Sequence, residues 1–140
     1  MTENARRTAA NGAPDHQISV VESEGSAPCR HCLTWAKPGE RVVLFPFESI
    51  PAHRPYADRG PIFIHAEPCP RYALPNEFPN ELRKGRAMRA YNEADEIVAA
   101  EVVDDAPEET AARLLEDARV RFLHVRSASA GCYTFKVERA

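Results

Sequence analysis

A chain of 140 residues, 44% hydrophobic and 28% charged, is long enough for one ordinary domain with its own core, so disulfide staples are not needed to hold it. Its net charge of -3 argues against a nucleic-acid partner, which wants a basic face, and gives no attraction to an anionic membrane surface. The longest apolar run, Val42 to Phe47, falls far short of the roughly 20 residues that a membrane-spanning helix needs.

Residues 1–14 are rich in Ala, Thr, Asn and Arg and carry no hydrophobic period, which predicts a disordered tail ahead of a single domain over 15–140. The tail also lacks the apolar centre of a signal peptide, so the expected location is cytoplasmic and the expected state of the thiols is reduced. Ile18, Val20 and Val21 allow a short strand near residues 16–23. "PCRHCL" at 28–33 sets Cys29 and Cys32 two residues apart, "PGE" at 38–40 makes a turn, and "RVVLFPF" at 41–47 reads as a buried strand that Pro46 ends or leaves at an edge. Residues 48–60 form a loop with Pro51 and Pro55. "PIFIHA" at 61–66 is a second apolar strand, and a second proline-dense loop follows at 67–80. Connections this long inside a compact domain are usually functional or disordered, so the two flanking this strand mark the expected place for a site.

Residues 86–103 read as a hairpin around the polar "NEADE", with opposite charges facing across the strands. Pro107 at a first helical position, Glu108 and Glu109 in the first turn, and Ala111, Leu115 and Ala118 at i, i+4, i+7 predict one main helix near 107–119. The segments 121–126 and 132–139 alternate as a closing hairpin, with Tyr133, Phe135 and Val137 expected on one face and Cys132, Thr134 and Lys136 on the other. Together these elements predict an α+β fold: a mostly antiparallel sheet of short strands, one main helix and two long Pro-rich loops.

"PCRHCL" with the following "PGE", then "PYADRGPIFIHAEPC", "RAYNEADEIV" and the C-terminal "HVRSASAGCYTFKVER", together resemble the bacterial domain of unknown function 1203. The likeness runs from about residue 18 to the C-terminus and rests on the order and spacing of several short motifs. It implies a small bacterial domain and carries over no catalytic residue.

The thiols and imidazoles hold what chemistry the sequence shows. A CxxC pair supplies two zinc ligands from one turn, and the other two must come from a distant segment. Cys69 and Cys132 complete a four-sulfur set with Cys29 and Cys32, while His65 in "HAEPC" and His124 in the last hairpin are alternates. Against such a site, the second cysteine pair is split across the chain, and the knuckle lacks the glycine that often follows a zinc-ribbon cysteine. A cysteine between two prolines, as Cys69 is, makes an awkward core residue and an easily presented ligand. The same residues allow a thiol-dependent enzyme, with Cys29 or Cys132 as nucleophile, His65 or His124 as base and Arg126 holding developing negative charge, or a Cys29/Cys32 redox pair. Buried cysteines acting as small apolar filler are the bland alternative. The cationic side chains are 15 Arg and 3 Lys, and arginine's fork suits a small anionic ligand, for which Arg54, Tyr56, Asp58 and Arg59 are the loop candidates; a protein partner is equally compatible. A binding or accessory module whose Cys/His cluster holds zinc is the leading expectation.

Overall fold

The computed structural model describes residues 2–103 and 105–139 as an α+β fold with two sheets. Residue 104, between the second hairpin and the helix, lies outside the described residues. Helix α1 spans Thr2–Ala10; strands β1 Gln17–Val20, β2 Arg41–Ile50 and β3 Asp58–His65 form a sheet in the order β1-β2-β3. Strands β4 Arg86–Tyr91, β5 Ile97–Val103, β6 Phe122–Ser127 and β7 Tyr133–Glu138 form the second sheet in the order β5-β4-β6-β7, all antiparallel, with helix α2 at Pro107–Leu115. No helix among the described residues is long and apolar enough to cross a membrane. Two compact units are distinguished along the chain: 1–47 with 60–73, and 48–59 with 74–140.

In the first unit the expected disordered tail is replaced by α1. Ala5 and Ala9, one turn apart, are buried, and alanine is the strongest helix former, so a helix forms here without the large apolar residues that announce one. Val42 of β2 packs with Val21, Ala27 and Ala36, and Phe63 of β3 lies against them. Strand β2 runs through Pro46 instead of stopping there. β1 pairs only with Arg41 to Leu44, so Pro46 sits beyond that ladder, where a missing N–H costs no bond to β1. Because β2 and β3 extend into the first predicted loop, the connection between them shrinks to residues 51–57.

The second unit has the larger apolar cluster: Phe78, Met88, Ala90, Val103, Ala111, Leu114, Val120, Leu123 and Val125. Full burial of a side chain such as Leu123 or Val125 stabilises by roughly 2 kcal/mol, and Phe78 adds an edge-to-face contact with Phe135 at 5.2 Å between ring centres. Helix α2 contributes Ala111 and Leu114 to this core and stops at Leu115, so Ala118 falls outside it. The end of the second long loop is pinned to α2 by Glu108, which accepts from both Arg83 nitrogens at 2.6 Å and from the Phe78 N–H at 2.9 Å. The Arg83 hydrogen bonds hold its pKa down at about 2.

Two registers differ from expectation. In the β4–β5 hairpin Arg89 faces Ala100 and Met88 faces Glu101, so no opposite charges pair across it; Glu101 instead binds Arg113 of α2 at 2.6 Å. In the last hairpin a bulge at Val125/Arg126 moves Tyr133 opposite Arg126. Tyr133 therefore shares a face with His124, whose ring it meets at 4.9 Å, while Phe135 faces the core.

Candidate metal centre

In the first unit the ligand atoms of Cys29, Cys32, His65 and Cys69 all lie within 4.8 Å of one another. Two elements and one loop deliver them. Residues 29–34 make a tight knuckle: Leu33 N–H bonds the Cys29 carbonyl at 3.0 Å, and Cys29 N–H bonds the Thr34 carbonyl at 2.9 Å. Closing this turn needs a left-handed residue after the second cysteine, and Leu33 adopts it with φ of 58°, in the position where glycine is usual. Such a conformation costs a β-carbon-bearing residue about 1–2 kcal/mol, which the surrounding hydrogen bonds and the burial of Leu33 offset. The knuckle docks on β3 through a parallel bridge of Cys29 with Phe63 and an Arg30 N–H bond to the Phe63 carbonyl at 3.0 Å. His65 ends β3, and Cys69 follows between Pro68 and Pro70. A bond from Tyr72 N–H to the His31 carbonyl at 3.0 Å ties that loop back to the knuckle.

Two of the six edges of the group have the lengths of a zinc tetrahedron, and the other four lie within 4.8 Å. Bonds of about 2.3 Å to sulfur and about 2.0 Å to nitrogen place S···S neighbours about 3.8 Å apart and S···N neighbours about 3.5 Å apart around zinc. Cys29 Sγ lies 3.8 Å from Cys69 Sγ, and Cys32 Sγ lies 3.5 Å from His65 Nδ1. With Nδ1 facing the sulfurs, the other ring nitrogen of His65, Nε2, meets Glu40 Oε1 at 3.3 Å; a carboxylate behind a histidine fixes the tautomer and ring orientation of a metal ligand. Glu40 is itself held as a carboxylate: the Lys37 N–H bonds it at 2.6 Å and lowers its pKa.

Electrostatics point the same way. Burial opposes a Cys29 thiolate, but the N–H groups of Cys32, His31 and His65 and the Cys32 thiol outweigh it and bring its pKa down to about 7. Burial, with the charge of Cys29 close by, pushes Cys32 up, and burial with the charges of Cys29 and Cys32 pushes Cys69 up to about 12. Three thiolates this close repel one another. A divalent cation among them removes that repulsion and lets all three ionise. Arg6 of α1 adds positive charge from outside the group, its Nε bonding the His65 carbonyl at 2.9 Å and its Nη2 lying 3.8 Å from Cys69 Sγ. These contacts define a Cys/His group that could hold a metal ion.

Cys132 and His124, the other two sequence candidates, belong to the second unit and are not in this group. The Cys132 carbonyl accepts the Ser127 N–H at the turn of the last hairpin. His124 is buried among the rings of Tyr91, Phe122 and Tyr133, and its Nδ1 has no hydrogen-bond partner among the described residues. Arg126, 3% exposed, is engaged through all three nitrogens, by Asp58 and by the Gly131 carbonyl at 3.0 Å, and Asp58 also accepts from Ser49. Of the loop residues considered for an anion, Asp58 is thus engaged by Arg126, and Arg54 pairs with Asp95 at 3.1 Å. Sequence reasoning missed Arg6 and Glu40. Arg6 carried no signal, whereas Glu40 belongs to the "PGE" turn that the sequence does mark, and the fold brings it to His65 at the end of β3.

Burial, aided by the Arg126 charge, lowers the His124 pKa from 6.5 to about 4, with Asp58 pulling the other way and Lys136 and Arg89 adding small effects. A histidine that protonates more readily unfolded than folded contributes stability that is complete above about pH 6.5 and drains away as pH falls toward about 4. Urea unfolding is therefore expected to show a loss of about 2 kcal/mol between about pH 6.5 and about pH 5, at close to 1.4 kcal/mol per pH unit. Glu108 and Asp117, whose pKa values hydrogen bonds from Arg83 and Arg119 lower to about 2, keep their contribution through this window and lose it only in more acid solution. His124→Gln lacks a titrating ring, and an unchanged acid slope in that variant would reject the assignment.

No curated protein and no solved structure matches the chain. The family model described as "Protein of unknown function (DUF1203)" matches residues 26–139, and the chain belongs to that family.

Proposed function

We propose that this chain is a zinc-binding accessory module whose metal is structural, held by the thiolates of Cys29, Cys32 and Cys69 and by Nδ1 of His65. The observation that carries this reading is the pair of spacings, 3.8 Å between two sulfurs and 3.5 Å between sulfur and imidazole, at the edge lengths of a zinc tetrahedron. Four protein ligands leave no open coordination position for water or substrate, which favours a binding module over a metal-dependent hydrolase. His65 takes the place that a four-sulfur set gives to Cys132. A cytosolic setting, where thiols stay reduced, suits such a site.

Metal analysis of protein purified without added zinc tests the reading. About one zinc per chain is expected in the wild type and in Cys132→Ser, with near-complete loss in Cys29→Ser and Cys69→Ser. A well-folded, metal-free wild type would falsify it, and a Cys132→Ser variant that loses its metal would reject this ligand set.

A further inference from the structure

The ligands of the proposed centre are not equally protected. Cys29 is fully buried, and its sulfur accepts the His65 N–H at 3.3 Å; Cys32 sulfur meets the Thr34 hydroxyl at 3.2 Å. Cys69, half-buried as Cys32 is, differs from both in lining an open cleft of about 410 Å³ together with Glu40, Arg41, His65, Glu67 and Pro68. Among the described residues no backbone N–H points at its sulfur, and the donor it faces is the Arg6 guanidinium at 3.8 Å. A metal-bound thiolate keeps more nucleophilic electron density when fewer N–H groups draw on it, and oxidation follows thiolate character and access. Its neighbour at 3.8 Å is the sulfur of Cys29, close enough to resolve an oxidised Cys69.

Resting on the zinc reading above, we propose that the centre is a peroxide-sensitive switch in which Cys69 is the sulfur attacked and a Cys29–Cys69 disulfide expels the metal. The Cys69 thiolate attacks the outer oxygen of a hydroperoxide; the O–O bond breaks, the sulfur becomes a sulfenic acid, and the leaving alkoxide takes a proton to become an alcohol, or water where the oxidant is hydrogen peroxide. The Cys29 thiolate then attacks the sulfenic sulfur, forming the S–S bond and releasing hydroxide. The two sulfurs together give up two electrons, and the peroxide is reduced by the same two. Cys32 and His65 alone are left on the ion. Two ligands hold zinc far more weakly than four, so the metal leaves, and a dithiol reductant with added zinc restores the site.

Hydrogen peroxide added to zinc-loaded full-length protein, with a chromogenic chelator present, tests the proposal. Expected are close to complete zinc release at about one equivalent of peroxide consumed per zinc, and a Cys29–Cys69 disulfide in the peptide map. With dimedone present, the sulfenic adduct is expected at Cys69. Zinc that stays bound through several equivalents of peroxide overturns the switch while leaving the zinc reading intact, as does a first adduct on Cys29 or Cys32 or a Cys29–Cys32 disulfide. Absence of zinc before peroxide is added overturns both. The wild-type adduct map needs no cysteine variant, so it stands even where Cys69→Ser fails to fold.

Discussion

Chelating the proposed zinc at neutral pH is expected to unfold the region around the knuckle, because the backbone hydrogen bonds that hold residues 27–36 and 65–72 have little apolar burial behind them. The apolar cluster beside them includes two alanines, Ala27 and Ala36, which bury little surface. Cys69 lies between prolines that donate no backbone hydrogen bond. Apparent binding free energies for structural zinc run to about 10–16 kcal/mol, comparable with the whole stability of a domain. Hydrogen exchange should show residues 27–36 and 65–72 losing protection in chelator, while β4 and β6, packed on the larger cluster, keep theirs. Melting of the first unit should fall by tens of degrees, on the order of the loss of most of a domain's stability. Unchanged protection after complete chelation would leave the four side chains as a packing arrangement without structural metal.

Replacing Arg126 by leucine should destabilise the second unit by about 3–5 kcal/mol, on the order of 20 °C in Tm. The guanidinium is almost wholly buried; one of its nitrogens, Nη1, lies 3.0 Å from Asp58 Oδ2, and Nε bonds the Gly131 carbonyl in the last turn. Removing it strands a partly buried carboxylate and an unpaired carbonyl. The value lies in that stranding more than in the attraction itself, so Arg126→Leu with Asp58→Asn should recover a measurable part of the loss. Urea denaturation of the two single variants and the double variant gives the comparison. A single variant within about 0.5 kcal/mol of wild type would mean that Asp58 re-solvates freely.

The sequence carried the strands well because their signals are local. "RVVLFPF" and "PIFIHA" are apolar runs of strand length, "NEADE" separates two β-compatible segments, and Pro107 with two glutamates opens α2. Helix α1 escaped because its buried positions are alanines, which leave no hydrophobic period to read. The bulge that turns Tyr133 toward His124 escaped because one extra residue in a ladder depends on its partner strand, and nothing in residues 132–139 records it.

The candidate site divides along the same line. By themselves the residues determined its chemistry: a CxxC knuckle, an HxxxC segment between strand and proline loop, and the soft ligand types that zinc prefers. Only the tertiary structure decided which sulfurs share a point in space. Residues 29 and 69 come within bonding range because the knuckle bridges to Phe63 and the proline loop ties back to His31, two contacts made across 34 and 41 positions of sequence by backbone groups that every residue possesses. Backbone hydrogen bonds do not depend on side-chain identity, so the choice of His65 over Cys132, and the arrival of Arg6 and Glu40 beside them, left no trace in composition or spacing.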